Sequence, residues 1–265
     1  RKAWHDLQKA LLILRKARKE EGLDITVDFF PYVHTGSLLY TLLPEWILEG
    51  GRENILNVLQ NQSKRAVVLD SIKNLPLHYE NITIAEARKD KNIIGKTIEQ
   101  ISETVGLSLE ETLIRLLVTN DLGITIFGKT LASANVLSIA REDYSMLSSD
   151  GVGDDHTVKR KMPDLAHPRS YGAVPRFLNR IARQKKVLSW EEAVKKMTSM
   201  PANRLGIGES RGFLRKGYAA DIVIIDPKII EDRATYADPY QLPVGIEYVF
   251  VNGNCAVEKG VFTGS

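Results

Sequence analysis

Apolar residues repeat along this chain at two periods, and the switches between them mark out its elements. Leu7, Ala10, Leu11 and Leu14 recur at helical spacing with lysine and arginine opposite, which predicts an amphipathic helix over 3–21, ended by Gly22. The β-branched and aromatic run Ile25-Thr-Val-Asp-Phe-Phe30 predicts a strand, and Pro31, Tyr32, His34, Gly36 and Ser37 follow at its exit. Asp28 lies inside that run, so it must be paired or stand at a barrel or sheet edge. The same layout returns at 133–151. A short helix over 133–140 leads to a strand through Met146 and Leu147, which Ser148, Ser149, Asp150 and Gly151 then break.

Between these two strands the pattern changes. A helical region runs over 42–60 with a break at Gly50-Gly51, and 66–69 reads as a short strand or a helix start. Short strands are expected at 82–84, 92–94 and 124–127, and helices at 97–104 and 108–120. Ser108 followed by Glu111 is a capping-box signature for the second of these helices. This is too much chain for a strand-to-helix connection, so 38–130 reads as an inserted α+β subdomain or lid. Beyond Asp150, a helix over 173–184 carries Arg176, Arg180 and Arg183 on what reads as a solvated face. Ser189-Trp-Glu-Glu192 opens another helix, 202–206 reads as a turn, and the remainder is β-rich at 212–217, 220–226, 246–251 and 255–257. Asn252-Gly253 between two apolar runs is a strong hairpin signal.

Composition narrows the function classes. With 265 residues, 43% of them hydrophobic, the chain can bury a sizeable core. The net charge of +3 is small, with no long basic block and little aromatic interleaving, which argues against nucleic acid. The single cysteine, Cys255, allows no intrachain disulfide and no metal-binding cysteine pair. No apolar run reaches the ~18 residues of a membrane span. The chain starts at Arg1 inside a helical pattern, which reads as a piece of a longer protein.

Asp150 is the first candidate for chemistry, because an acidic residue just past a buried strand can face a cleft. His167-Pro-Arg-Ser-Tyr-Gly172 follows about fifteen residues on, where a proline and a glycine pin a loop rich in polar side chains. Asp150 as a helix cap and Arg169 as a surface ion-pair partner are the plain alternatives for each residue alone; the two on one connection favour a site. His167 reads as a loop-fixing residue, His34 as a pocket contact at the strand exit, and His5, His78 and His156 as surface residues. Asp221 and Asp226 read as structural.

Several segments then carry a family pattern. Pro201-Ala-Asn-Arg-Leu-Gly206, Gly212 with Gly217, and Ala220-Asp-Ile-Val-Ile-Ile-Asp226 resemble the C-terminal signature of the amidohydrolase superfamily. Ser149-Asp-Gly151, His167-Pro-Arg-Ser-Tyr-Gly172 and Pro175-Arg176 resemble the N-acyl-D-amino-acid deacylases (D-aminoacylases) within it. So do Asp28-Phe-Phe-Pro-Tyr32 with Gly36-Ser37, and Ala234-Thr235 with Pro243-Val-Gly-Ile246. The resemblance implies an α/β fold, the C-terminal part of a metal-dependent (β/α)8 barrel with an inserted α+β subdomain and a C-terminal β-sandwich portion. It implies barrel strand seven with its helix over 1–37, the insertion over 38–130, strand eight and its following helices over 131–205, and the sandwich portion over 206–265.

It also implies zinc-dependent hydrolysis of N-acyl-D-amino acids, with one tight metal site and a second, weaker one in the complete enzyme. Asp150 would be the catalytic proton carrier and a ligand of the weaker site. Arg169 would hold the substrate carboxylate, with the hydroxyls of Tyr32 and Ser37 as further contacts. Family members often carry tyrosine where Phe30 stands, which removes one hydroxyl here. The family's His-x-His and its single metal-ligand histidines are absent, so the partner implied is the missing N-terminal portion, with a homo-oligomer left open and a cytoplasmic location expected. Two other readings stand beside this one: a cyclic-amide hydrolase of dihydroorotase or hydantoinase type, and a non-catalytic fragment lacking most metal ligands.

Overall fold

The computed structural model describes residues 5–153 and 164–264. In chain order the helices are α1 Leu7–Glu20, α2 Glu45–Leu48, α3 Gly51–Gln60, α4 Gln62–Lys73, α5 Ile98–Val105, α6 Leu109–Thr119, α7 Ser133–Arg141, α8 Arg169–Arg176, α9 Trp190–Met197 and α10 Ser199–Arg204. The strands are β1 Val27–Phe29, β2 His34–Leu38, β3 Ile82–Ala87, β4 Ile124–Lys129, β5 Ser145–Leu147, β6 Ile222–Ile225, β7 Ile246–Val251, β8 Asn254–Glu258 and β9 Val261–Phe262. The described residues fall into two compact units, the first within Arg1–Val33, Leu131–Asp155 and Pro168–Ser265, the second within His34–Thr130 and His156–His167.

The first unit is built on β1 and β5, paired in parallel with Asp28 opposite Met146. The parallel direction follows from the long excursion between them. That excursion closes on itself, since the Leu131 N–H donates to the Val33 carbonyl at 3.0 Å. Phe29 packs edge-on against Phe177 in a core with Ala140, Leu178, Ile181, Ala182, Leu188, Ala193 and Ile230. Asp28 is exposed, so its charge is not desolvated here. Lys196 on α9 is only 4% exposed, yet its ammonium donates to the Glu142 and Ser145 carbonyls and to Ser145 Oγ. Burial pushes its pKa down, and the three acceptors tie the start of β5 to α9.

α8 contains Pro175, which has no N–H to give to the carbonyl four residues back, and the chain then continues as wide π-helical turns over Phe177–Gln184. The Ser189 hydroxyl and the Glu192 carboxylate form the expected capping box at α9. The four-stranded antiparallel sheet runs in the order β6-β7-β8-β9, and its β7–β8 hairpin turns at Asn252 and Gly253, both at positive φ. Residues 212–217, expected as strand, make turns instead, and 202–206, expected as a turn, mostly belongs to α10. Pro201 is tolerated there because it stands in the first helical turn, where an N–H has no helical partner. On α1 the inward stripe is Leu7, Leu11 and Leu14, and Ala10 is exposed.

The second unit is an antiparallel sheet in the order β2-β4-β3 packed with α2 to α6 around Leu39, Ile47, Leu59, Ile72, Ile84 and Leu113. The segment 66–69 lies inside α4, and 92–94, expected as strand, opens with a 3-10 turn over Lys91–Ile93 because the Asp90 carboxylate accepts the Asn92 N–H. Thr97 and Gln100 make a complete capping box on α5, while Ser108 caps α6 from the hydroxyl side as Glu111 pairs with Arg65. Asn120 is fully buried and its side-chain oxygen accepts from the N–H groups of Lys89 and Asp90, both at 3.0 Å. Leu165 adds to the β3 edge through Ala85, and Lys91 pairs with Asp164 at 3.0 Å. Among the described residues no helix is long and apolar enough to cross a membrane.

Candidate active site

The exits of β1 and β5 lie side by side, as parallel pairing demands, and the candidate residues of the first unit come from these exits and from the first turn of α8. Past β5 the backbone is held by serine hydroxyls. Ser148 Oγ accepts the Asp150 N–H, Ser149 Oγ accepts the Gly151 N–H, and Ser170 Oγ accepts the Val152 N–H at 3.1 Å. Three consecutive amides are thereby satisfied without a ladder. Asp150 takes a left-handed conformation, φ 47, which aspartate tolerates better than most residues. Gly151 sits against α8, where a Cβ would come within 2.9 Å of Ser170 Cα.

This loop presents Asp150, with 59% of its side chain exposed, to Arg169, the first residue of α8. Arg169 Nη1 lies 2.7 Å from Asp150 Oδ2, and the Arg169 guanidinium is 5.1 Å from the centre of the Phe30 ring. Its side chain is 14% exposed, so a mostly buried cation meets a mostly exposed carboxylate. Phe30 thus supplies a ring face to the guanidinium.

Tyr32 is buried. Its hydroxyl donates to the Pro168 carbonyl at 3.3 Å, and burial followed by the nearby Asp232 carboxylate pushes its pKa up. Arg176, expected on a solvated face, lies instead over the Tyr32 ring at 4.5 Å, donates from Nε to the Pro31 carbonyl at 2.8 Å, and pairs with Asp232 at 2.9 Å. Asp232 had no local signal in the sequence, since its partner is 56 residues away. Ser148 and Ser149 were legible in principle, because serines running into aspartate and glycine are a backbone-bonding pattern, whereas Ser170 reaches Val152 from 18 residues away and had no local signal.

Ser37 belongs to the second unit, exposed on β2 opposite Ile126. His167 does fix its segment there: its Nε2 donates to the His34 carbonyl at 3.0 Å and its ring stands edge-on to Phe127. His156 lies outside the described residues. Asp221 is structural as expected, accepting from the Asn252 N–H and pairing with Arg211, which together lower its pKa. Among the described residues no three of His, Cys, Asp and Glu stand close enough to hold a metal ion.

Comparison with known proteins places the chain among similar sequences and folds. Residues 163–257 match the model of the amidohydrolase family. The D-aminoacylase of Alcaligenes xylosoxydans xylosoxydans is 38% identical over 120 residues, 45% of this chain and 23% of that protein. The N-acyl-D-aspartate deacylase of the same organism is 34% identical over 160 residues, 60% of this chain and 29% of that protein. The crystal structure of N-acyl-D-glutamate deacylase from Bordetella bronchiseptica, complexed with zinc and a phosphonate inhibitor, superposes with a TM-score of 0.72 at 24% identity, over 97% of this chain and 45% of that one. The chain therefore spans less than half the length of the proteins it matches. It shares its fold with part of the N-acyl-D-glutamate deacylase, a mixed α/β arrangement with a β-rich sheet near the C-terminus of this chain. Residues 163–257 are thus similar to the amidohydrolase family, and the chain is similar in sequence to a D-aminoacylase and to N-acyl-D-amino-acid deacylases.

Proposed function

We propose that this chain is the C-terminal part of an enzyme that hydrolyses the amide bond of N-acyl-D-amino acids, releasing a carboxylate and a free D-amino acid. The observation that carries the reading is the meeting of Asp150 and Arg169 at the exits of two parallel strands. The Asp150 carboxylate takes a proton from the attacking water and returns it to the leaving nitrogen, so the C–N bond breaks once the new C–O bond has formed. The Arg169 guanidinium receives the substrate carboxylate through its planar fork. Because Arg169 is already paired with Asp150, substrate binding exchanges one carboxylate for another at the same guanidinium. Asp150 is then released toward the amide.

Zinc belongs to this reading for the complete protein only. Asp150 is the residue of this chain proposed to touch a metal, at a second, weaker site. Among the described residues there is no cluster to hold one, so no step here runs through it. The same observation favours a second reading for the isolated polypeptide, which is then inactive without its N-terminal portion. Asp150→Asn in the full-length protein is the test of the first reading, with turnover of acyl-D-amino acids lowered by about 10²- to 10⁴-fold. Near-normal turnover in that variant would sink it, and stoichiometric zinc on the isolated chain would sink the second.

A further inference from the structure

The carboxylate-binding reading leaves Arg176 and Asp232 without a task, although both are drawn together with Tyr32 behind α8. Arg169 and Arg176 stand seven residues apart on that helix, two turns, and so share one face. At the start of the face the Tyr32 hydroxyl grips the Pro168 carbonyl. At its end Arg176 reaches the Pro31 carbonyl and the Asp232 carboxylate, whose side chain is 5% exposed. In the middle Gly172 lets the helix close on Tyr32, since a Cβ there would lie 2.6 Å from the hydroxyl oxygen and 3.0 Å from Asp232 Cβ. The helix is thus pinned at both ends to the segment leaving β1, which also carries Phe30 under the Arg169 guanidinium.

An ion pair with one buried member, as here with Asp232 buried and Arg176 28% exposed, is a poor source of stability when a well-packed apolar pair could take its place, and its best-attested use is to select one arrangement. Here that arrangement is the rotation and height of α8, on which the Arg169 fork depends. Small misplacements of a binding group are amplified in the affinity it delivers.

We propose that Arg176, Asp232 and Tyr32 are positioning residues for Arg169, forming a clamp that sets where the substrate carboxylate binds. This rests on the reading of Arg169 as the carboxylate receptor. It also gives Tyr32 a role from behind the helix, with its hydroxyl committed to Pro168.

The test uses the full-length protein and two substrates. One is the best-hydrolysed of N-acetyl-D-leucine, N-acetyl-D-aspartate and N-acetyl-D-glutamate; the other is its α-carboxamide, which has the same scissile bond and no α-carboxylate. Asp232→Asn and Arg176→Lys are expected to raise KM for the acid about tenfold, and Tyr32→Phe about threefold, with KM for the carboxamide within about twofold of normal. Tyr32→Phe and Arg176→Lys keep the test open if Asp232→Asn does not fold. Combined with Arg169→Met, none of the three adds a further loss on the acid. Equal losses on both substrates, or a further loss in the Arg169→Met background, would show a general structural role and overturn the clamp. If Arg169→Met alone leaves the acid-to-carboxamide ratio unchanged, the carboxylate reading has failed and the clamp falls with it. A normal Arg169→Met response with unaffected clamp variants overturns the clamp alone.

Discussion

Gly172→Ala sets two general rules against each other at one atom. Alanine is the better helix former by about 1 kcal/mol, and Gly172 stands inside α8. On propensity alone the variant should be more stable. The added Cβ, however, would lie 2.6 Å from the Tyr32 hydroxyl oxygen and 3.0 Å from Asp232 Cβ. Neither neighbour is a loose side-chain end. Tyr32 is 2% exposed, donates to Pro168 and carries Arg176 on its ring, while Asp232 is paired with Arg176. Overpacking of this kind costs about 1–3 kcal/mol, and loss of the Tyr32 hydrogen bond adds about 1 kcal/mol. Set against the propensity gain, the expected net loss is about 1–3 kcal/mol. Urea unfolding of wild type and variant measures it directly. Tyr32→Phe removes the oxygen that the new methyl meets first, so Gly172→Ala should do less damage in that background by about 1 kcal/mol. A Gly172→Ala protein as stable as wild type, or more so, would refute the tight approach of α8 to Tyr32.

Other elements give independent tests. Asn120→Ala removes the acceptor for the Lys89 and Asp90 amides and should destabilise the second unit by about 1–3 kcal/mol, seen as faster hydrogen exchange at those two amides; unchanged exchange would contradict the contact. The hydrogen bond from Arg15 holds the Glu142 carboxyl below its ordinary value of 4.5. The folded state therefore binds this proton less readily than the unfolded chain, and the pair's stabilisation is present above pH 4.5 and lost as pH falls through the lowered value. Unfolding of wild type and Glu142→Gln should converge on acidification, and a gap that stays constant through that range would contradict the pairing.

The strands that frame the site were legible because they are short apolar runs stopped abruptly by polar residues, at Asp150 and beyond Phe30. The capping box at Ser189 with Glu192 and the Ser108 cap are local interactions, so they too appear in the sequence. What stayed hidden depended on distant partners. Arg176 shares a helix with Arg180 and Arg183, and nothing near it distinguishes a residue that meets Asp232 from one that meets water. β2 was missed because His34-Thr-Gly-Ser-Leu38 has little apolar content, and only the neighbouring β4 gives it a ladder. α10 was missed because Pro201 and Gly206 read as punctuation, although the proline stands at the helix start and the glycine just beyond its end.

The left-handed backbone at Asp150 limits how this position can drift. Only glycine, asparagine and aspartate enter that conformation readily, and a β-branched or bulky residue there is strained. Two of those three lack a carboxylate, and both should leave the serine-held loop undisturbed. Silencing the proposed chemistry is therefore a single substitution that the fold would hardly register. A descendant of this chain could keep its shape and its likeness to its relatives while having become a protein that binds but does not turn over.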